Sequence, residues 1–150
     1  MKLQGIEITA RNIPRYFSLC HLEGCPRSGE CLRHVVVPLV DDKVTHGPAV
    51  YPSALRAQGG CAEWLPIRVV RYAWGFNPLF VNVLARDAKP LRAQIQQLLG
   101  SRSTYYRCNR GASMPPPAKQ QQILDLFAKR GYTEGLSFAH YKDAINFSAH

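Results

Sequence analysis

Three thiols fall within twelve residues, at Cys20, Cys25 and Cys31, and a fourth follows at Cys61. Four cysteines gathered by one turn-rich loop and one distant return suit tetrahedral thiolate coordination, which closes a structural zinc site and leaves no position open for chemistry. An iron–sulfur cluster takes the same four thiolates and tolerates unequal spacing, and its loops often carry a proline after a ligand cysteine, as in Cys25-Pro26. The intervals do not choose between the metals. Four residues separate Cys20 from Cys25, five separate Cys25 from Cys31, 29 separate Cys31 from Cys61, and no Cys-x-x-Cys pair occurs. Gly24, Pro26 and Gly29 allow the sharp turns that would aim the side chains at one centre. Unligated thiols filling a core, and disulfides, are the competing readings. His21 and His34 flank the group and are substitute ligands.

The fifth cysteine, Cys108, stands apart in Arg107-Cys108-Asn109-Arg110. Neighbouring guanidiniums favour a thiolate, but no histidine partner accompanies it, so it reads as an ordinary strand cysteine.

The charge is unevenly placed. The 150 residues carry a net charge of +9 with a pI near 9.6. Residues 62 to 131 hold eleven Lys and Arg against three Asp and Glu, whereas residues 1 to 61 hold seven against five. Such asymmetry points to nucleic acid or another polyanion as partner, against the plainer reading that charge keeps a small protein soluble. Within the basic segment, Arg102, Arg107, Arg110 and Lys119 surround Tyr105 and Tyr106. Interleaved aromatics and guanidiniums are what a single strand needs for base stacking and phosphate contact.

The elements that must position these groups are those of a single α+β domain over 1–150, with 20–61 a cysteine-rich loop subregion, 62–131 a basic body and 132–150 a C-terminal helix or tail. Residues 1 to 19 alternate weakly, as an opening strand or arm. A small antiparallel sheet is expected from three β-branched or aromatic runs, at 34 to 40, 67 to 74 and 104 to 110. Residues 45 to 60, rich in Gly and Pro, read as a long loop with a short helical turn at 53 to 57. A helix over 90 to 99 follows from Asp87 as N-cap, Pro90 in the first turn, Leu91, Ile95, Leu98 and Leu99 on one face, and Gly100 as stop. A second, over 118 to 130, opens at Pro117 and stops at Gly131, and a final short helix is expected over 138 to 147. Trp64 is placed to cover the cysteine site.

At Cys31-Leu32-Arg33, Cys61 with Trp64, Trp74-Gly75, and Tyr105-Tyr106-Arg107 ahead of a C-terminal helix, the chain resembles an uncharacterised family of small cysteine-cluster proteins from anaerobic gut bacteria. The resemblance runs from about Cys20 to Tyr141. It implies one intact bacterial domain with Cys108 outside the cluster, and it implies no activity.

Several function classes lose support. No Gly-rich phosphate loop, nucleophile elbow or His-Glu-x-x-His occurs, and Asp41-Asp42 reads as a turn, so the chain leans away from an enzyme. No apolar run reaches membrane-spanning length and no signal-peptide pattern opens the chain, which gives an expected cytoplasmic location and no membrane partner. Three readings remain: a metal-stabilised small binding module with nucleic acid as ligand, an iron–sulfur redox protein, and a structural or protein-interaction domain without metal.

Overall fold

The computed structural model describes residues 1–56 and 58–148. Its described residues form four α-helices and two small two-stranded antiparallel sheets, an α+β arrangement. The chain falls into two compact units, Met1–Val69 with Ile145–His150, and Val70–Ala144.

The first unit opens with a minimal hairpin, β1 (Lys2–Leu3) and β2 (Ile6–Glu7), in the register Lys2 opposite Glu7 and Leu3 opposite Ile6. Gln4 and Gly5 make the two-residue turn with positive φ of 48° and 82°, the conformation whose twist matches that of the strands it joins. Helix α1 (Leu32–Val35) is one turn long and continues into a 3-10 turn at Val37–Leu39. Leu32 and Val36, both fully buried, join Ile8, Phe17, Leu65 and Ile145 in the unit's main core. The Phe17 and Phe147 rings meet edge to face at 5.0 Å.

Arg33 holds the irregular chain around that core. Its Nε donates to the Glu63 carbonyl at 2.8 Å and its Nη1 to the Ser18 carbonyl at 3.1 Å, while Nη2 lies 3.5 Å from the Glu63 carboxylate. The guanidinium also stands over the Phe17 ring, 5.1 Å from its centroid. A buried charge is tolerated only when its donors are satisfied in this way. The Arg33 carbonyl in turn accepts from the Cys20 N–H at 2.9 Å.

The second unit contains β3 (Val69–Trp74), α2 (Ala85–Leu99), α3 (Arg102–Asn109), α4 (Pro117–Ala128) and β4 (His140–Ile145), the outermost strand residues Val69 and Ile145 belonging to the first unit. Its core gathers Ala73, Phe76, Leu79, Leu91, Ile95, Tyr105, Cys108, Ile123, Phe127 and Phe138. Phe76 and Phe127 are fully buried, and each such ring contributes about 1.5–3 kcal/mol. Within the ribbon, Arg71 faces Asp143, Trp74 faces His140, and the Ala139 N–H donates to the Gly75 carbonyl, a register that descends on one strand as it climbs on the other.

Several sequence expectations are corrected. Residues 34 to 40 are helical turns, because the Cys31 carbonyl accepts from both His34 and Val35, and burial of Val36 in a short segment overrides β propensity. Residues 104 to 110 lie in α3 up to Asn109 and form no strand. There Ser101 caps the helix, its hydroxyl accepting from the Thr104 N–H at 3.0 Å. Residues 138 to 147 form no helix and instead supply β4, the partner that β3 requires. Of the three expected strands only 67 to 74 stands, as β3.

The two main helices are as expected, with shifted ends. Helix α2 starts at Ala85 after Leu84 as N-cap, so Pro90 sits inside it, and it ends at Gly100 with φ +99°. Helix α4 opens at Pro117. The 45 to 60 stretch is irregular apart from a 3-10 turn at Pro52–Ala54, and the helical turn expected at 53 to 57 reaches Ala57, which lies outside the described residues.

Candidate nucleic-acid interface

Helix α3 divides its residues between two faces. Tyr105 and Cys108, three apart, are buried, whereas Arg102, Ser103, Tyr106, Arg107 and the following Arg110 are exposed. Spacings of three and four put the exposed set on one stripe. Tyr106 is 45% exposed. Its ring meets that of Tyr105 at right angles at 5.3 Å and has the Arg102 guanidinium over it at 5.6 Å.

No acid neutralises this stripe. Helix α3 contains no Asp or Glu, and among the described residues Arg102, Arg107 and Arg110 make no ion pair. Three of the four acids of the same unit are engaged elsewhere. Asp143 takes a two-pronged contact from Arg71 at 2.8 and 3.0 Å, Asp87 accepts from Tyr132 at 2.6 Å and Arg130 at 3.2 Å, and Asp125 accepts from Gln121. Glu134 lines a cavity of about 420 Å³ between the segments 78–83 and 131–136.

The helix is fixed from its C-terminal end. The Gly75 N–H donates to the Cys108 carbonyl at 3.2 Å, and the Phe76 N–H to the Asn109 side chain at 2.9 Å. Gly111 follows with φ +84°, its Cα facing the indole edge of Trp74. Trp74 stacks on the exposed His140 ring across the β3–β4 ribbon, with centroids 5.0 Å apart and planes 26° apart. The residue that follows Arg110 thus abuts a second aromatic pair. No sequence signal announces His140, because its partner lies 66 positions away and only strand pairing joins them.

The other expected contact residues are placed differently. Tyr105 is 4% exposed and packs on Phe76 at 4.8 Å, so its ring is part of the core. Burial pushes its phenol up, against the pull of Arg92, which hydrogen-bonds it. Lys119 is half-buried and belongs to the first turn of α4, not to α3.

All four cysteines of the expected metal site lie in the first unit, and all five in the chain are free thiols. Cys20 is buried in a small cluster with Val50 and Ala54, against which Cys61 packs. Cys31 is the buried N-cap of α1 and bridges to Pro66, while Cys25 is half-buried in the preceding turn. Among the described residues no three His, Cys, Asp or Glu side chains are grouped for a metal ion. His34 Nδ1 is 3.1 Å from the Cys20 carbonyl and His21 is exposed. Trp64 lies against the cysteine loop through Arg27, whose guanidinium sits 3.6 Å above its ring, and its Nε1 is buried without a partner.

Residues 3–147 match a described protein family across both units. The chain belongs to DUF6078, a family of unknown function. No curated protein and no solved structure matches the chain. The expected membership of an uncharacterised family is therefore met, and the match extends beyond the stretch from Cys20 to Tyr141. For this DUF6078 chain, no described helix is long and apolar enough to cross a membrane.

Burial decides the state of Cys108. It raises the thiol above its ordinary range, and the opposing influences of Ser113 and Arg107 are smaller. The guanidinium effect expected from sequence is outweighed because Cys108 points into the core, which leaves it a packing residue.

Proposed function

We propose that this DUF6078 protein binds nucleic acid through the exposed stripe of α3. One observation carries the reading: Arg102, Arg107 and Arg110 share a solvent-facing helix surface with Tyr106, and no carboxylate among the described residues pairs with them. Guanidiniums paired within a protein are less free to replace the counterions of a phosphate chain, whereas these three are available to do so. The fixed end of α3 supports the reading further, since a rigid element presents its cations at set spacing.

The test is removal of charge from the stripe. Arg107→Gln with Arg110→Gln should weaken binding of a fluorescent oligonucleotide at low salt by roughly tenfold or more. Lys43→Gln with Arg15→Gln, an equal loss of charge in the other unit, should change it little. Equal effects from both pairs would reduce the interaction to net charge and contradict the site.

A second reading concerns the cysteines. The packing of Cys61 against Cys20 supports zinc, or an iron–sulfur cluster in its place, on Cys20, Cys25, Cys31 and Cys61, and binding would have to draw Cys25 and Cys31 to that pair, because no three such side chains are grouped among the described residues. Metal content of protein purified without oxygen tests it. About one zinc per chain, lost together with stability in Cys20→Ser, supports it, and metal-free protein with five titratable thiols refutes it.

A further inference from the structure

Charge alone does not distinguish a duplex from a single strand, but the rings beside the charge do. We infer that the ligand of this face is single-stranded nucleic acid, whose bases stack on two aromatic platforms, Tyr106 on α3 and His140 backed by Trp74 on the β3–β4 ribbon. This rests on the nucleic-acid reading of the α3 stripe and names its ligand class.

The arrangement is continuous. Arg102 and Tyr106 stand at one end, Arg107 and Arg110 follow along the helix, and Gly111 brings the chain against Trp74. Beyond Trp74 lies the exposed ring of His140, and Lys142, two positions further on β4, is exposed on the same side of the pleat. Exposed rings and cations are thus joined through α3, Gly111 and the β3–β4 ribbon.

Each platform is held in place before any ligand arrives. Tyr106 is held in a T-shaped contact with Tyr105, and Tyr105 is fixed in the core by Phe76. The His140 ring is stacked on Trp74, whose indole edge abuts the Gly111 backbone. A ring that is exposed and already immobilised loses little further freedom when a base lands on it. Histidine and tyrosine are both among the side chains on which unpaired bases stack.

A duplex cannot use these surfaces, because its base faces are covered by their neighbours in the stack.

Fluorescence anisotropy on the full chain tests this, using labelled twelve-residue oligothymidine, a twelve-base-pair duplex and heparin at one fixed low salt. The single strand should bind about tenfold more tightly than the duplex. Tyr106→Ala and His140→Ala should each weaken the strand about tenfold and leave duplex and heparin binding unchanged, as expected for loss of one stacked base. His140→Phe should retain the affinity that His140→Ala loses, which separates stacking from charge and from misfolding. Equal binding of strand and duplex, with both alanine variants silent, would overturn the single-strand inference and leave the charged stripe standing. Failure of all three polyanions to bind would overturn the stripe itself.

Discussion

Gly111 and Trp74 are in such close approach that a Cβ built on the glycine would stand 2.7 Å from the indole Nε1. The φ of +84° at Gly111 adds a backbone conformation that side-chain-bearing residues rarely adopt. The end of α3 and the end of β3 are thus locked by one residue without a side chain. Gly111→Ala should destabilise the protein by about 2 kcal/mol, the usual scale of such strain. A urea titration followed by tryptophan fluorescence reads the change, and an unaltered midpoint would show that the indole moves aside freely.

Arg33 is the corresponding lock in the first unit. Arg33→Met keeps much of the volume but leaves the Ser18 and Glu63 carbonyls without their donors. The expected loss is about 1.5–3 kcal/mol, the scale of hydrogen bonds donated by a charged group. Arg33→Lys should recover only part, because an ammonium cannot reproduce the fork. Chemical denaturation of the two variants measures both values, and equal stability of Lys and Met would contradict the role of the fork.

Asp87 gives a pH signature. The Tyr132 hydroxyl, and secondarily Arg130 and Arg86, hold its carboxyl below the usual range. The folded form therefore gains stability above the ordinary carboxylate pKa, and that gain is lost as pH falls through the lower folded value. Asp87→Asn should melt lower than the parent at pH 7, with the gap closing towards pH 2. An acid limb will remain in the variant, because Asp143 is also held low by the Arg71 contact. A gap that stays constant across pH would show that the carboxylate charge is not what matters.

The thiols should separate by burial. With a chromogenic disulfide reagent at pH 8, the half-buried Cys25 and Cys61 should react before Cys108, which is 2% exposed and whose thiol is raised by burial. Cys108→Ser should leave the fast phase unchanged. Loss of the fast phase in that variant would place a reactive thiolate where the structure has a packing residue.

Legibility in the sequence followed the strength of local signals. Gly100 and Ser101 adjoin, one stopping α2 and the other capping α3, and both signals are visible in the sequence. The β propensity of Thr104, Tyr105 and Tyr106 nevertheless favoured a strand, and only the three-residue spacing of Tyr105 and Cys108 betrays a helix with one buried side. The corrected element is also what makes the site: a strand would have sent Tyr106 and Arg107 to opposite faces, whereas a helix keeps them together. Helices α2 and α4 were readable because proline, glycine and apolar periodicity agree there. The pairing of β3 with β4 was not, since it depends on segments more than 60 positions apart. With it went His140, the second ring of the proposed stacking surface.

The most direct measurement is the salt dependence of single-strand affinity. Contacts from Arg102, Arg107 and Arg110 to three phosphates predict a slope of log K against log salt of about −2, at roughly −0.7 for each phosphate neutralised. Arg110→Gln should make that slope shallower by about 0.7. A slope near zero, or one unchanged by the loss of Arg110, would contradict the assignment of the α3 stripe as a nucleic-acid interface.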